Sequence, residues 1–139
     1  MSKVVWAATV TALLLAVGVH TQAQVKREPI KPIDTVSGPA TFKAYCAQCH
    51  GVSGRGDGPA AKALKTPPAD LTTLAKRHNG QFPAAAVKQI VNGGEVGPSH
   101  GSREMPMWGP VFRSVEDQSM VELRITNLVK YLEEIQEKK

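Results

Sequence analysis

Hydrophobic and polar positions divide the chain into blocks of different character. An apolar run extends from Val4 through Val19, broken only by Thr9, Thr11 and Gly18. Lys3 precedes it, and Thr21-Gln22-Ala23 follows, with small residues at the first and third places. This is the layout of a secretory signal peptide over residues 1–23, with cleavage expected after Ala23. The run falls short of the roughly 20 apolar residues that span a bilayer, so an uncleaved anchor is the weaker reading. Residues 24–36 turn polar, carry Pro29 and Pro32, and read as a flexible leader.

From Ser37 the pattern becomes helical. Ser37 suits a helix cap and Pro39 the first turn. Phe42, Tyr45, Cys46 and Cys49 then fall at i, i+3, i+4 and i+7, one helical face that must be buried against something. A glycine-rich loop runs from Gly51 to Gly58. Short helices are expected over 59–66, over 70–77 with Leu71 and Leu74 inside, and over 83–91, ahead of Asn92-Gly93-Gly94. Residues 93–110 are dense in Gly and Pro and predict no regular element, yet they carry Met105, Met107 and Trp108. An irregular loop with such residues is expected to fold over something apolar. The strongest helix is predicted over 116–136, where Val121, Ile125, Leu128, Val129, Leu132 and Ile135 make a stripe. Ser119 with Glu122, or Ser114 with Asp117, offers it a capping box. No convincing strand and no internal repeat is visible. The expected fold class is all-α, with few short helices and long Gly/Pro-rich loops.

Composition narrows the picture. The 139 residues fit one domain. Of the 17 Lys and Arg only Lys3 lies in the signal segment, which leaves 16 against 12 Asp and Glu. That mild basic bias favours an acidic protein partner. The basic residues are scattered among three Phe, two Tyr and two Trp, which argues against nucleic acid. The VSGRGDG loop lacks the Gly-Lys-Ser/Thr ending of a phosphate loop, and no strand leads into it.

A small domain with so little regular structure needs a staple or a cofactor. Cys46 and Cys49 are the only cysteines. Export would permit a disulfide, but one closed within a single helix pins nothing distant. A closed zinc site needs four ligands, and Cys46, Cys49, His50 and His78 or His100 could be assembled. A histidine directly behind a cysteine is poor finger spacing, however, and no second pair is present. A redox dithiol belongs beside βαβ elements, which are absent from the pattern. The run Cys46-Ala47-Gln48-Cys49-His50 is the C-x-x-C-H attachment signature of c-type haem. Thiols on adjacent helical turns can add to the two vinyl groups of one porphyrin edge, and His50 then meets the iron on its proximal side. At about 25 cal/mol per Å2, a few hundred Å2 of buried porphyrin would contribute several kcal/mol. That is comparable with the whole stability of a small domain. Candidates for the second axial ligand are Met105, Met107, His100 and His78. A soft thioether suits iron in a dry pocket, and a Met/His pair raises the reduction potential.

In chain order, CAQCH, GRGDGP and MPMW ahead of a helix ending in VKYLEEI resemble the small class I cytochromes c, over roughly residues 37–136. The resemblance implies a cytochrome c-like fold around one covalently bound haem c, with residues 37–139 as the cytochrome c domain. It implies thioethers at Cys46 and Cys49, His50 as proximal ligand, and Met105, the methionine followed by Pro, as distal ligand. Met107 then packs at the haem edge. It further implies that Pro59 of GDGP lends its carbonyl to the N–H of His50, fixing the ring tautomer. Phe42 and Tyr45 are expected to pack on the last helix near Leu128, Tyr131 and Leu132, and Trp108 or Arg103 to reach a haem propionate.

The implied protein is a periplasmic or otherwise exported one-electron carrier. It is no enzyme, because two protein ligands fill both axial positions. Its partners would be redox proteins, donor and acceptor, with Lys62, Lys65, Lys76 or Arg77 guiding an acidic one in a small, weak encounter. Membrane association would come only from an uncleaved N-terminal segment or a membrane-bound partner. The alternatives are a haem c subunit of a larger dehydrogenase or oxidase complex, and a ligand-binding haem sensor or peroxidase-like protein with an open sixth site.

Overall fold

The computed structural model describes residues 33–94 and 105–138. The signal segment, most of the leader, His100 and Arg103 lie outside the described residues. Gly38–Thr41 (α1), a π-helical stretch Phe42–Cys46 and Ala47–His50 (α2) run on as one helix. Ser37 starts it, but through its backbone: the carbonyl accepts from the Thr41 N–H at 2.9 Å, and the side chain makes no capping bond. In the π stretch the Ala47 N–H reaches five residues back to the Phe42 carbonyl. Such widened turns occur mostly as single features, often at functional sites. The extra residue shifts the expected stripe, so Phe42 and Cys46 are buried while Tyr45 and Cys49 are half-buried.

The glycine-rich loop has a structural task. The last four carbonyls of a helix lack partners within it. Here Gly51 N–H donates to Ala47 O at 2.9 Å, Ala60 to Gln48 O at 2.9 Å, Gly58 to Cys49 O at 3.1 Å and Gly56 to His50 O at 2.8 Å. The loop therefore caps the whole C-terminal turn that carries Cys49 and His50.

The expected helix over 59–66 shrinks to a 3-10 turn, Ala61–Ala63. Thr66 precedes Pro67-Pro68 and is steered away from helical geometry. The next element starts as a 3-10 turn, Leu71–Thr73, and continues as α3, Leu74–Arg77. Asp70 caps it, accepting from Thr72 N at 2.8 Å and Thr72 Oγ1 at 2.6 Å. Helix α4, Ala84–Asn92, ends on Gly93 in the left-handed conformation. The Gly/Pro density of 93–110 hid a helix: α5 spans Trp108–Arg113. Gly109 and Pro110 occupy its first turn, where a missing N–H costs no helical bond. Helix α6, Gln118–Glu134, is capped by Asp117 itself, which accepts from Ser119 N at 3.0 Å and Met120 N at 3.1 Å. No strand occurs among the described residues, and none of their helices is long and apolar enough to cross a membrane.

The core gathers on α6. Val121, Ile125, Leu128, Val129 and Leu132 meet Phe42, Cys46 and Ala47 of the first helix, Val87 and Val91 of α4, and Phe112 of α5. α1 crosses α6 at Gly38, where any added Cβ would collide with the carbonyl oxygen of Asn127. Phe42 packs on Tyr131 with ring centroids 5.4 Å apart, as expected. Tyr45 also packs against the core cluster that holds Leu128 and Leu132, but its ring partners lie elsewhere. The tyrosine turns to α5, 5.3 Å from Trp108 and 5.1 Å from Phe112, because that unexpected helix brings two aromatic rings to its side.

One charged side chain lies in this core. Arg124 is 1% exposed and pairs with Glu116 through both carboxylate oxygens. It also donates to Thr35 O at 2.6 Å, Ile33 O at 3.2 Å and Thr41 Oγ1 at 3.3 Å, and its guanidinium stands 5.6 Å over the Phe112 ring. Asn127 Nδ2 adds a bond to Val36 O at 3.0 Å. Residues 33–36, read from sequence as the end of a flexible leader, are thus fastened across α1 and α6. At the other end Gln136 Nε2 donates to Leu71 O at 2.7 Å and Leu132 O at 2.6 Å, and its Oε1 accepts from Ala75 N at 2.8 Å.

Candidate functional site

The helix of residues 38–50 sets Cys46 and Cys49 three residues apart and delivers His50 from its last turn. Both thiols are free. Cys46 belongs to the core cluster, and burial, with Cys49 beside it, pushes its thiol up to about 12. Cys49 and His50 are half-buried. Among the described residues no three His, Cys, Asp or Glu side chains gather closely enough to hold a metal ion by themselves.

His50 Nδ1 lies 3.0 Å from the carbonyl oxygen of Ala69. A carbonyl only accepts, so Nδ1 carries the proton and donates. Nε2 then keeps its lone pair, the state required of a metal-binding imidazole. Burial lowers the ring's pKa and outweighs the Ala69 bond, which acts the other way, so the imidazole is held neutral. The expectation of a Pro59 carbonyl at this position is corrected. Pro59 is exposed on the loop whose neighbouring amides cap the helix, whereas Pro67-Pro68 extend the chain and present Ala69 to the ring. A backbone carbonyl has no residue signature, so only the loop path reveals its donor.

The remaining candidates are scattered more widely. Met105 is 36% exposed, in a bend ahead of α5. Met107 is 59% exposed at the N-cap of that helix. Trp108 is half-buried, stacked on Phe112 at 5.8 Å and tilted against Tyr45, so it packs as part of the core margin. His78 is exposed just after α3. His100 and Arg103 are outside the described residues. A groove lined by Lys76, Phe82, Glu133 and Glu137 contains none of these groups.

Sequence reasoning passed over Ala69 and Arg124. Arg124 was open to detection, since it lies three residues after Val121 and four before Leu128, on the inner face of the α6 stripe. A charge at that register implies a buried partner.

This donor set fits a c-type haem: two cysteines on one helix that are not tied in a disulfide, a neutral histidine with its Nε2 lone pair, and two thioethers in the segment before α5. No curated protein and no solved structure matches the chain. The family model for cytochrome c matches residues 36–136. With Cys46, Cys49, His50, Ala69 and the methionine segment all inside that match, the chain belongs to the cytochrome c family, which implies haem c and electron transfer.

Proposed function

We propose that the protein is an exported monohaem c-type cytochrome, a one-electron carrier in a respiratory or periplasmic redox chain and not an enzyme. Cys46 and Cys49 would hold haem c covalently, and His50 and Met105 would supply the protein ligands to its iron. When bound, the haem supplies reversible one-electron exchange at its iron. The observation that carries the reading is the bond from His50 Nδ1 to Ala69 O at 3.0 Å, on the same helix that carries Cys46 and Cys49.

The rest is what the chain does around that group. Ala69 fixes the orientation and tautomer of His50 and makes it more basic towards a metal. Capping by Gly51, Gly56, Gly58 and Ala60 holds the Cys49–His50 turn rigid, so the proximal ligand keeps one position in both oxidation states. Met105 offers a soft, neutral thioether and is the less exposed of the two methionines before α5. Trp108 shields the space between that segment and Tyr45. With His50 and Met105 both given to the iron, the chain would keep small molecules from it. The exchange partners are redox proteins, and the exposed Lys62, Lys65, Lys76 and Arg77 suit an acidic one.

The test is the optical spectrum of the purified protein from a host able to attach haem. A pyridine haemochrome of c type and a weak far-red thioether-to-Fe(III) band in the oxidised form are expected. Absence of covalent haem sinks the reading. Covalent haem without the far-red band, with carbon monoxide binding readily to the reduced form, replaces the carrier with an open-site sensor or peroxidase-like protein.

A further inference from the structure

The segment carrying the methionines is fastened to the end of α4 by two approaches that leave no room for a side chain. Gly93 has φ +81°, and a Cβ built there would stand 2.8 Å from Met107 Cβ, 3.1 Å from Cγ and 3.3 Å from Sδ. Met107 therefore lies along the Gly93 backbone up to its sulfur. Two residues on, a Cβ at Gly109 would stand 2.6 Å from the Asn92 carbonyl oxygen and 2.9 Å from its Cα. Residues 107 and 109 thus sit on the two consecutive residues that end α4. Trp108, between them, turns the other way onto Tyr45 and Phe112. Met105 lies upstream of both contacts, beyond Pro106.

Two thioethers two residues apart are chemically equal as iron ligands. Each is neutral, soft and flexible, so ligand chemistry alone gives the iron no preference between them. A choice has to come from the backbone. We propose that the Asn92–Gly93 end of α4 is the seat that selects the axial sulfur. It holds Met107 on α4 and leaves Met105 as the methionine able to reach the iron. Gly93 and Gly109 are positioning residues in this device, which rests on the haem reading above.

The experiment uses the haem-loaded protein and four variants: Met105→Leu, Met107→Leu, Gly93→Asn, and Gly93→Asn combined with Met105→Leu. Asparagine tolerates the left-handed conformation better than other side chains, so this change isolates the Cβ collision from backbone strain. The readouts are the far-red band of the oxidised form and carbon monoxide binding by the reduced form. Met107→Leu keeps the band, and Met105→Leu loses it and binds carbon monoxide. Adding Gly93→Asn to Met105→Leu evicts Met107 from its seat, restores the band and lowers carbon monoxide binding again. A band lost in Met107→Leu but kept in Met105→Leu overturns the Met105 assignment itself. A correct single-variant pattern without rescue, in a double variant with the helical circular dichroism of the parent, overturns the seat alone. If Gly93→Asn does not fold, a nuclear Overhauser contact between the Met107 side chain and the Gly93 Hα protons decides in the unmodified protein: its presence supports the seat and its absence overturns it.

Discussion

Replacing Arg124 by Met tests the buried charge network most directly. The substitution keeps an unbranched apolar stem and removes the guanidinium with its five hydrogen bonds, to Glu116 (two), Thr35 O, Ile33 O and Thr41 Oγ1. The backbone carbonyls are near the surface, and water can replace their donors. The Glu116 carboxylate cannot be compensated so easily, because only 12% of its side chain is exposed. Breaking a buried pair from one side costs roughly 3–5 kcal/mol, most of it the penalty on the stranded charge. The remaining access of water to Glu116 puts this case at the low end, about 3 kcal/mol. Against a typical domain stability of about 5–15 kcal/mol that is a large fraction. It corresponds to a fall in Tm of roughly 10–20 °C for a domain near 100 residues. The assay is guanidinium and thermal unfolding of the haem-loaded protein by circular dichroism, compared at constant denaturant slope. The double variant Arg124→Met/Glu116→Leu should recover most of the loss, since replacing both charges with apolar groups is close to neutral. A loss below about 1 kcal/mol in the single variant, or additive losses in the double, would refute the argument that the pair is a coupled, desolvated unit.

Three further outcomes follow from the same geometry. Gln136→Leu removes the bonds that tie the end of α6 to Leu71 and Ala75, and should cost about 1–2 kcal/mol in denaturant unfolding with the haem still attached. Asp70 and Asp117 are both held below the usual carboxylate range. For Asp70, burial pushes upward, but the Thr72 bonds and the Arg55 and Arg77 charges outweigh it; for Asp117 the Ser119 hydroxyl acts first and the Met120 amide next. Depressed carboxylates stabilise the fold at neutral pH and lose that contribution as pH falls through and below their ordinary range, so Asp70→Asn should flatten the acid side of a Tm-against-pH profile. Cys49→Ala should leave haem attached through Cys46 alone, seen as a red-shifted haemochrome band with the full haem mass still on the chain, since thiol addition to a vinyl group loses no atoms; haem extractable by acidified acetone from this variant would contradict attachment at Cys46.

What sequence alone decided was local. The capped turn at Asp70, the Gly93 stop of α4 and the long stripe of α6 are set by residues within a few positions of one another, and they appear within a residue or two of expectation. The all-α class and the placing of Cys46, Cys49 and His50 on one helix were equally legible, because spacing along one helix is a property of the chain itself. Tertiary structure decided what depended on distant backbone. Ala69 rather than Pro59 faces His50, since a carbonyl's role is set by the path of its loop and not by its side chain. Helix α5 forms within a Gly/Pro-rich stretch because Phe112 and Trp108 gain burial against Tyr45 and the core, which outweighs weak local propensity. Residues 33–36 are ordered by Arg124 and Asn127, some ninety positions away. The placement of Met107 on Gly93 is likewise a contact between segments, one that reading Met-Pro-Met along the chain could not reveal.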